Sequence, residues 1–417
     1  MRKIAADILY AYKKEGAYIN LSLNKAIENN QLKKEDKDLL TRIVYGTVQN
    51  ELYLDYQIEP YLHNKIKLFD LMVIKMSIYQ MLFLDRIPHY AIINEAVEIV
   101  KKKNAYRSKT VNAILRNFER NGKREIEAKD ELERISIQYS TPLWLVKMLK
   151  AQYGDQMIKI VQSFFEVPLL TARVNTLKAN KEELLSDRFK EGNLSQDSLI
   201  YKEGNIANSE EYKQGLVTVQ DESSQLVARL LDPAQNSHVL DMCCAPGSKT
   251  SHLAMIMNNT GNIDAHDLYE HKIRLVQNQL DRLGVTNTSL HVGDSTKLSE
   301  VYPHESFDYI LLDAPCSGLG VIGRKPEIKY QDNRNMDEII AIQKNLLDNA
   351  YVLLKHGGSM VYSTCTLNRK ENDKQIKAFV EKYKDMKVIK ERVILPYEYH
   401  SDGFYMCKLV KDYGTDL

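Results

Sequence analysis

The first third of the chain, residues 1 to about 128, repeats its hydrophobic positions at the spacing of an α-helix. Residues 111–118 place apolar side chains at positions i, i+3, i+4 and i+7, and residues 92–100 form a similar apolar stripe. Pro88 separates two such stretches, because proline interrupts a helix. The alternating pattern of a β-strand is missing from this part of the sequence, so the pattern predicts an all-helical bundle.

From about residue 216 onward, short apolar runs alternate with amphipathic stretches. Helices are predicted at 273–283 and 339–353. The predicted strands are 239–242, 262–266, 290–292, 309–312 and 359–363. Strands that alternate with amphipathic helices predict a parallel sheet covered on both faces, a Rossmann-like α/β domain. The segment 403–409 is predicted to add an antiparallel strand at the edge of this sheet.

Residues from about 129 to 215 mix the two patterns. Pro142 stands where a helix is predicted to begin, since proline is tolerated in a first helical turn. Residues 169–175 alternate as a strand, and the charged stretch 178–189 is predicted to be helical. The chain is therefore expected to contain a helical domain at 1–128, a small α+β module at 129–215 and an α/β domain at 216–417.

The composition fits a multidomain globular protein, because 44% of the 417 residues are hydrophobic and 27% are charged. The N-terminus lacks the apolar stretch of a signal peptide, and no apolar run is long enough to cross a bilayer. The five cysteines show no C-x-x-C or His/Cys spacing typical of zinc sites, and reduced thiols fit the cytosol. We expect a cytoplasmic monomer without a membrane segment or a bound metal.

The net charge of +1 hides an uneven distribution of charge. Residues 1–128 carry +6 and the remaining residues carry −5. Within the first part, residues 101–124 hold nine basic side chains and one acidic side chain. Such a basic stretch is typical of a protein that binds a polyanion such as RNA, although a solvated helix face has the same composition. The candidate RNA contacts at its start are Lys101, Lys102 and Lys103.

Two cysteines follow directly after predicted strands of the α/β domain. Cys316 comes after the run 309–312, and Cys365 comes after the run 359–363. The carboxyl ends of parallel strands form the edge where α/β domains bind their ligands. A thiol at that edge can become a nucleophilic thiolate, whereas a thiol in the middle of a strand, as expected for Cys407, is a small hydrophobe. Two such thiols on separate strands suggest covalent catalysis with divided roles.

The segment after the first strand of the α/β domain predicts a cofactor site. It is neither G-x-G-x-x-G nor a Walker A loop, which disfavours a dinucleotide or ATP. Its small residues and the following helix N-terminus would suit a ligand carboxylate. The loop residues predicted to lie against the cofactor are Cys243, Cys244, Ala245, Pro246, Gly247, Ser248 and Lys249.

Two acidic residues extend this site. Asp267 ends the second predicted strand, where it can bind ribose hydroxyls, and Asp294 follows the third, where it can accept from an adenine amino group. Taken alone, Asp267 could be a surface acid or a helix cap, and Asp294 could belong to an ordinary turn. Together with the loop, they predict an adenosine joined to an amino-acid carboxylate, which describes S-adenosyl-L-methionine.

The motifs around these residues resemble those of known families. The sequence from 85 to 118 resembles the RNA-binding bundle of the antitermination factor NusB. Three further motifs, in this order, resemble the signatures of the Sun-type RNA cytosine-5 methyltransferases: CCAPGSKT at 243–250, LDAPCSG at 312–318 and STC at 363–365. A NusB-like bundle within that family implies the branch that modifies small-subunit (16S) ribosomal RNA.

The resemblance also implies roles for individual residues. Cys365 would be the nucleophile that adds to C6 of cytosine, and Cys316 would assist release of the product. Asp313 would border the cofactor and contact N3 and the exocyclic amine of the base, and a carboxyl that donates there needs a raised pKa. The spacing of the residues alone leaves open which thiol attacks.

A base inside a duplex cannot reach such a site, so the target is expected to be unpaired or flipped out. Arg324, Lys325 and Lys329 combine charge with the neighbouring Tyr330, and we expect them to hold phosphates beside the target base. Arg173 is a weaker candidate, because a surface strand would explain it equally well. Two alternatives remain at this point: a transfer-RNA methyltransferase, and a non-catalytic RNA-binding assembly factor that keeps a methyltransferase-like fold.

Overall fold

The computed structural model describes residues 1–63, 65–331 and 335–412. These fall into two units: Met1–Phe165 with Lys325–Gln331, and Glu166–Arg324 with Asp332–Leu417. The domain boundaries predicted at 128 and 215 stay predictions. Residues 64, 332–334 and 413–417, which the predicted domains include, lie outside the described residues.

The first unit is built from helices. The pattern at 111–118 is confirmed as helical, and Val111, Ile114, Leu115 and Phe118 are its buried side. A helix also begins directly after Pro142, as predicted. The helices are α1 Arg2–Glu15, α2 Ile19–Asn30, α3 Lys34–Gln49, α4 Glu51–Ile58, α5 Leu68–Phe83, α6 His89–Lys101, α7 Ala105–Asn121, α8 Glu131–Gln138, α9 Leu143–Tyr153 and α10 Met157–Ser163.

Helix α5 forms the centre of this unit. It is buried on nearly all sides by its neighbours α1, α3, α6 and α7, as expected for a helix that is mostly apolar. Two of its buried polar side chains have charged partners: Lys75 lies 3.2 Å from Glu51, and Asp70 lies 2.9 Å from Arg107. Pairing offsets part of the cost of burying these charges.

A 3₁₀ turn, Pro326–Tyr330, also belongs to the first unit. The Lys329 amine is fully buried and donates to the Gln49 carbonyl at 2.9 Å, and burial lowers the pKa of Lys329 to about 7. The Tyr330 hydroxyl donates to the Ser140 carbonyl at 3.0 Å. The expectation that Lys329 holds an RNA phosphate is therefore wrong, because its amine is enclosed by protein.

The second unit begins with a small antiparallel sheet in the order β2-β3-β1-β4. The predicted strand at 169–175 is confirmed as β1, but the helix predicted at 178–189 is wrong over most of its length. Only α11, Lys181–Leu184, is helical there, and Phe189 begins a strand and packs on Tyr201 at 4.8 Å between ring centres. The elements are β1 Thr171–Val174, α11, β2 Phe189–Glu191, β3 Ser198–Tyr201, α12 Glu210–Lys213 and β4 Val217–Val219.

The remainder of the second unit is a mixed sheet in the order β10-β11-β9-β8-β5-β6-β7. The predicted strands are confirmed as β5 to β9, and these pair in parallel. The strands are β5 His238–Asp241, β6 Asn262–Asp267, β7 Thr288–Val292, β8 Phe307–Asp313, β9 Leu354–Thr364, β10 Met386–Ile394 and β11 Phe404–Lys411. The helices are α13 Glu222–Leu231, α14 Ser248–Ile256, α15 Glu270–Leu283, α16 Met336–Leu353, α17 Asp373–Lys382 and α18 Pro396–Tyr399.

Helices cover both faces of this sheet. One core contains apolar side chains of α13, α14 and α15, and the other contains those of α16 and α17. The chain order reverses at β5, which lies between β6 and β8. In open α/β sheets, ligands bind at such a reversal, beyond the carboxyl ends of the strands.

The predicted strand at 403–409 is present as β11, but it is not at the edge of the sheet. It pairs with β9 on one side and with β10 on the other, and most of its residues are buried. The edge is β10, which the sequence pattern did not reveal. Most residues of β10 are exposed, and its four charged residues separate the apolar ones, so it lacks the apolar run that marks a buried strand.

Among the described residues, no helix combines the length and apolar character needed to span a bilayer.

Candidate active site

Two neighbouring parallel strands bring the two predicted thiols together. Strand β8 ends at Asp313 and β9 ends at Thr364, and the register pairs Asp313 with Ser363. The loops that follow therefore leave the same edge of the sheet. The Sγ atoms of Cys316 and Cys365 lie 3.4 Å apart, and both side chains are partly exposed. One small chemical group bound at this edge could therefore contact both sulfur atoms.

The surroundings of Cys316 favour its neutral form. Its hydrogen bond with Cys365, burial and the nearby Glu371 carboxylate together raise the pKa of the Cys316 thiol well above its ordinary value. Because only a thiolate is nucleophilic, these surroundings disfavour the reactive form of Cys316. The other cysteines pack in the interior or line the cofactor loop: Cys244 and Cys407 are buried, and burial raises the pKa of both thiols.

Asp313 lies at the end of β8, beside the thiols. Its carboxylate accepts hydrogen bonds from Lys249 Nζ at 2.7 Å and from Ser363 Oγ at 2.8 Å. Lys249 is in the first turn of α14, so the ion pair links the thiol loops to the predicted cofactor loop. The side chain of Lys249 is held by this pair and does not point freely into solvent.

The predicted cofactor loop follows β5 and forms a tight turn. The Gly247 amide donates to the Cys244 carbonyl at 2.7 Å, with Ala245 and Pro246 between them. Gly247 has a φ of +96°, and a Cβ atom there would lie 3.1 Å from Val276 Cγ1. The positive φ strongly favours glycine at this position, because other residues rarely adopt it, and a larger side chain would also have to displace Val276 slightly.

A buried acid that the sequence did not single out supports this loop. Asp241, the last residue of β5, accepts from Thr250 Oγ1 at 2.7 Å and from the Cys243 amide at 3.4 Å. Burial raises the pKa of Asp241 to about 7, opposed by the Thr250 hydrogen bond. In the sequence, Asp241 is recognisable only as an acidic residue at the end of an apolar strand. Many strands that lead into ordinary turns end in the same way, so the pattern alone does not indicate a function.

The residues around this loop fit the predicted cofactor. The first turn of α14 has no side-chain cap, so its amides are available to a carboxylate. Asp267 ends β6, where its carboxylate accepts from the Tyr269 amide at 3.2 Å. Asp294 is exposed, and its carboxylate accepts from the amide and the hydroxyl of Thr296. These hydrogen bonds are those of an ordinary turn, the other interpretation of Asp294 given by the sequence. This donor and acceptor set suits an adenosine that carries a carboxylate.

Two predicted RNA contacts of the second unit have protein partners. Arg173 is fully buried, and its guanidinium donates to Ser251 Oγ at 2.8 Å, to the Ser248 carbonyl and to Gln220. It therefore supports the start of α14, and the expectation that Arg173 contacts RNA is wrong because solvent cannot reach it. Arg324 is paired with Asp221 and Asp402, which neutralise its charge, so its RNA contact stays a prediction.

The predicted RNA contacts of the first unit are exposed, except for Lys329. Lys101 ends α6 and pairs with Glu98, and Lys103 Nζ lies 3.6 Å from the centre of the Phe69 ring. Lys102 and Lys325 are exposed. These four residues stay candidates. Metal-ligating side chains do not cluster into a site among the described residues.

Sequence reasoning missed two residues that hold the thiol loops. Glu371 is completely buried and binds the residue after Cys316, and Asn372 is buried and binds the residues on both sides of Cys365. A Glu-Asn pair in a polar loop gives no sign of burial, because acidic and amide side chains are usually exposed.

Comparison with known proteins shows three family models along the chain. The NusB family model matches residues 1–120, and a model of the ferredoxin-like domain of RsmF/B-like methyltransferases matches residues 141–198. The model described as 16S rRNA methyltransferase RsmB/F matches residues 228–410. The predicted architecture of a NusB-like helical domain, a small α+β module and a Rossmann-like methyltransferase domain is therefore confirmed.

Similar proteins match over nearly the whole chain. A protein of Bacillus subtilis named probable ribosomal RNA small subunit methyltransferase B is 39% identical over 440 residues, which cover 99% of this chain and 98% of the relative. The solved structure of PH0851 covers 98% of both chains with a TM-score of 0.85 and 26% identity. A methyltransferase homologue from Pyrococcus horikoshii covers 68% of this chain and 100% of its own, with a TM-score of 0.62 and 27% identity. The chain therefore belongs to the 16S rRNA methyltransferase RsmB/F family and has the fold of S-adenosylmethionine-dependent methyltransferases.

Proposed function

We propose that this protein methylates C5 of a cytosine in 16S ribosomal RNA, with S-adenosyl-L-methionine as the methyl donor. The observation that carries the proposal is the pair of thiols, 3.4 Å apart, at the sheet edge that also holds Asp313 and the loop after β5. A protein that only binds RNA has no need of two adjacent, partly exposed thiols at this edge. The names of the relatives support ribosomal RNA as the substrate class.

The cofactor would be held by the loop after β5 and by two acids. The amides at the start of α14, together with Lys249, would bind its carboxylate, Asp267 its ribose hydroxyls and Asp294 its adenine amino group. When bound, it supplies an electrophilic methyl group. The chemistry that remains for the chain is to make C5 of cytosine nucleophilic, and later to remove the C5 proton.

Cys365 would perform the first of these tasks. Its thiolate adds to C6, which breaks the aromaticity of the ring and gives C5 the character of an enamine. The electron density displaced from the ring is taken up at N3, where a proton is needed. Asp313, whose carboxylate lies 2.7 Å from Lys249 Nζ at the end of β8, would contact N3, pass on a proton from that ammonium group and orient the base.

Cys316 would perform the second task. Its hydrogen bond with Cys365 is the largest cause of its raised pKa. Once Cys365 Sγ is bonded to C6, its hydrogen bond with Cys316 is lost. The cause that most raises the pKa of Cys316 is then removed, so Cys316 can lose its proton more readily. The resulting thiolate removes the C5 proton, the C5–C6 double bond reforms and Cys365 leaves.

Bisulfite sequencing of total RNA, from cells with and without this protein, tests the proposed function. We expect one or more cytosines of 16S ribosomal RNA to resist deamination only when the protein is present. A protected cytosine in transfer RNA instead would show the alternative substrate. RNA binding without any change in the bisulfite pattern would show a non-catalytic factor and overturn the proposal.

The exposed basic stretch of the first unit is proposed to supply affinity for RNA without sequence specificity. Lys102 and Lys109 are exposed on either side of Tyr106, a ring that is 79% exposed. Changing both lysines to glutamate should weaken binding of a 16S fragment. Each lost phosphate contact should reduce the slope of log K against log salt by about one. Fluorescence anisotropy at several salt concentrations measures both effects.

The control for this experiment changes the same amount of charge elsewhere. Lys33 and Lys34 are exposed and lie outside the basic stretch, so the double change to glutamate there should leave the slope nearly unchanged. Equal losses in both double variants would mean that only net charge matters, and would remove the RNA role of residues 101–124.

A further inference from the structure

We propose that Glu371 and Asn372 are positioning residues with separate tasks, Glu371 placing Cys316 for release of the product and Asn372 placing Cys365 for attack. The inference rests on the proposed function and deepens it, since it divides the two steps between two adjacent side chains. Three observations support it: each side chain is buried, each is connected by hydrogen bonds to the residues before and after one thiol, and further hydrogen bonds join the two loops.

Glu371 holds the loop of Cys316 by hydrogen bonds. Its Oε2 accepts from the Ser317 amide at 2.9 Å, and its Oε1 accepts from the Ser317 hydroxyl at 2.5 Å. Gln343 Nε2 donates to Glu371 Oε2 at 3.1 Å and also to the Pro315 carbonyl at 2.9 Å. The carboxylate therefore holds the residue after Cys316 directly and the residue before it through Gln343.

The Glu371 carboxylate has no exposed surface, and Asn368 Nδ2 provides a further donor at 3.0 Å. A buried carboxylate is costly unless each oxygen has donors, and here each oxygen has two. A glutamine of the same shape has one acceptor oxygen fewer, so at least one of these donors would lose its partner. The loop of Cys316 therefore depends on a charged acceptor at this position.

Asn372 holds the loop of Cys365 by direct hydrogen bonds. Its Oδ1 accepts from Thr364 Oγ1 at 2.6 Å, and its Nδ2 donates to the Thr366 carbonyl at 2.9 Å. These are the residues immediately before and after Cys365. The amide must both accept and donate, so an aspartate of the same shape would lose the bond to the Thr366 carbonyl.

A direct contact joins the two loops. The hydroxyls of Ser317 and Thr366 lie 2.7 Å apart, and the Gly320 amide donates to the Cys365 carbonyl at 2.9 Å. The separation of the two Sγ atoms is thus set by hydrogen bonds that converge on one Glu-Asn pair. Loosening one side should move one thiol relative to the other without removing either.

The test uses two isosteric variants of the full-length protein, Glu371→Gln and Asn372→Asp, with a 16S ribosomal RNA transcript and S-adenosylmethionine. Glu371→Gln should slow turnover about tenfold or more and accumulate a covalent protein–RNA adduct that survives denaturing electrophoresis, because attack continues while release is impaired. Asn372→Asp should slow adduct formation, measured in single turnover in a Cys316→Ala background. Ser317→Ala, which removes only the hydroxyl contacts, should accumulate adduct to a smaller extent.

A purely structural role predicts a different result. If both variants lose adduct formation in parallel, or if Glu371→Gln gives no adduct while Cys316→Ala does, the division of tasks is wrong and the proposed function stands. If Cys316→Ala itself gives no adduct, the covalent mechanism fails and the inference fails with it. Formation of adduct by Glu371→Gln would also show that the variant is folded.

Discussion

Replacement of Cys365 by alanine is expected to abolish methyl transfer to RNA. Without a sulfur that adds to C6, C5 of cytosine stays part of an aromatic ring and is too weak a nucleophile to accept a methyl group. The loss should be on the order of 10⁴-fold or more, as for other enzymes deprived of their nucleophile. Transfer of a tritiated methyl group to a 16S ribosomal RNA transcript measures it.

Cys407→Ala is the matched control for this prediction. Cys407 is completely buried in β11, where it packs in the core away from the edge that holds Cys365. Its replacement should cost some stability and leave methyl transfer close to normal. Transfer at an undiminished rate by Cys365→Ala would show that the sulfur forms no bond to the base.

Replacement of Cys316 by alanine should stop the reaction at a later point and trap the RNA on the protein. The attack by Cys365 needs no contribution from Cys316, whereas removal of the C5 proton does, so the covalent adduct should accumulate. Denaturing electrophoresis of protein incubated with labelled RNA should show a shifted band for Cys316→Ala that the unchanged protein does not accumulate.

The double replacement of Cys316 and Cys365 separates this explanation from others. It should give no adduct, because the trapped species contains a bond to Cys365 Sγ. If Cys365→Ala forms the adduct and Cys316→Ala does not, the roles of the two thiols are reversed.

Much of the candidate site could be predicted from short stretches of sequence. The apolar runs that end at Asp313 and Thr364 identify strands, and a residue that follows a parallel strand lies at the edge where ligands bind. The loop at 243–250 follows the same logic after β5. These are local patterns, and local patterns decide where strands end and which side chains come next.

The arrangement of charges was less predictable. Lys329 and Arg173 belong to polar or strand-like stretches that give the same pattern whether the side chain is exposed or buried. The structure buries both, because each cation finds acceptors that are far away in the sequence: Gln49 for Lys329, and Gln220 and Ser248 for Arg173. The position of β11 inside the sheet was missed for a related reason, since its partner β10 carries no apolar run.

By itself, the sequence determined the strands β5 to β9 with helices between them, the two thiols at strand ends and the basic stretch of the helical part. Only the tertiary structure decided that the thiols lie 3.4 Å apart and that Glu371, 54 positions from Ser317, holds one of their loops. The physical reason is that the hydrogen bonds which set this distance join distant parts of the chain. Their partners become neighbours only when β8, β9 and the segment after β9 are packed together.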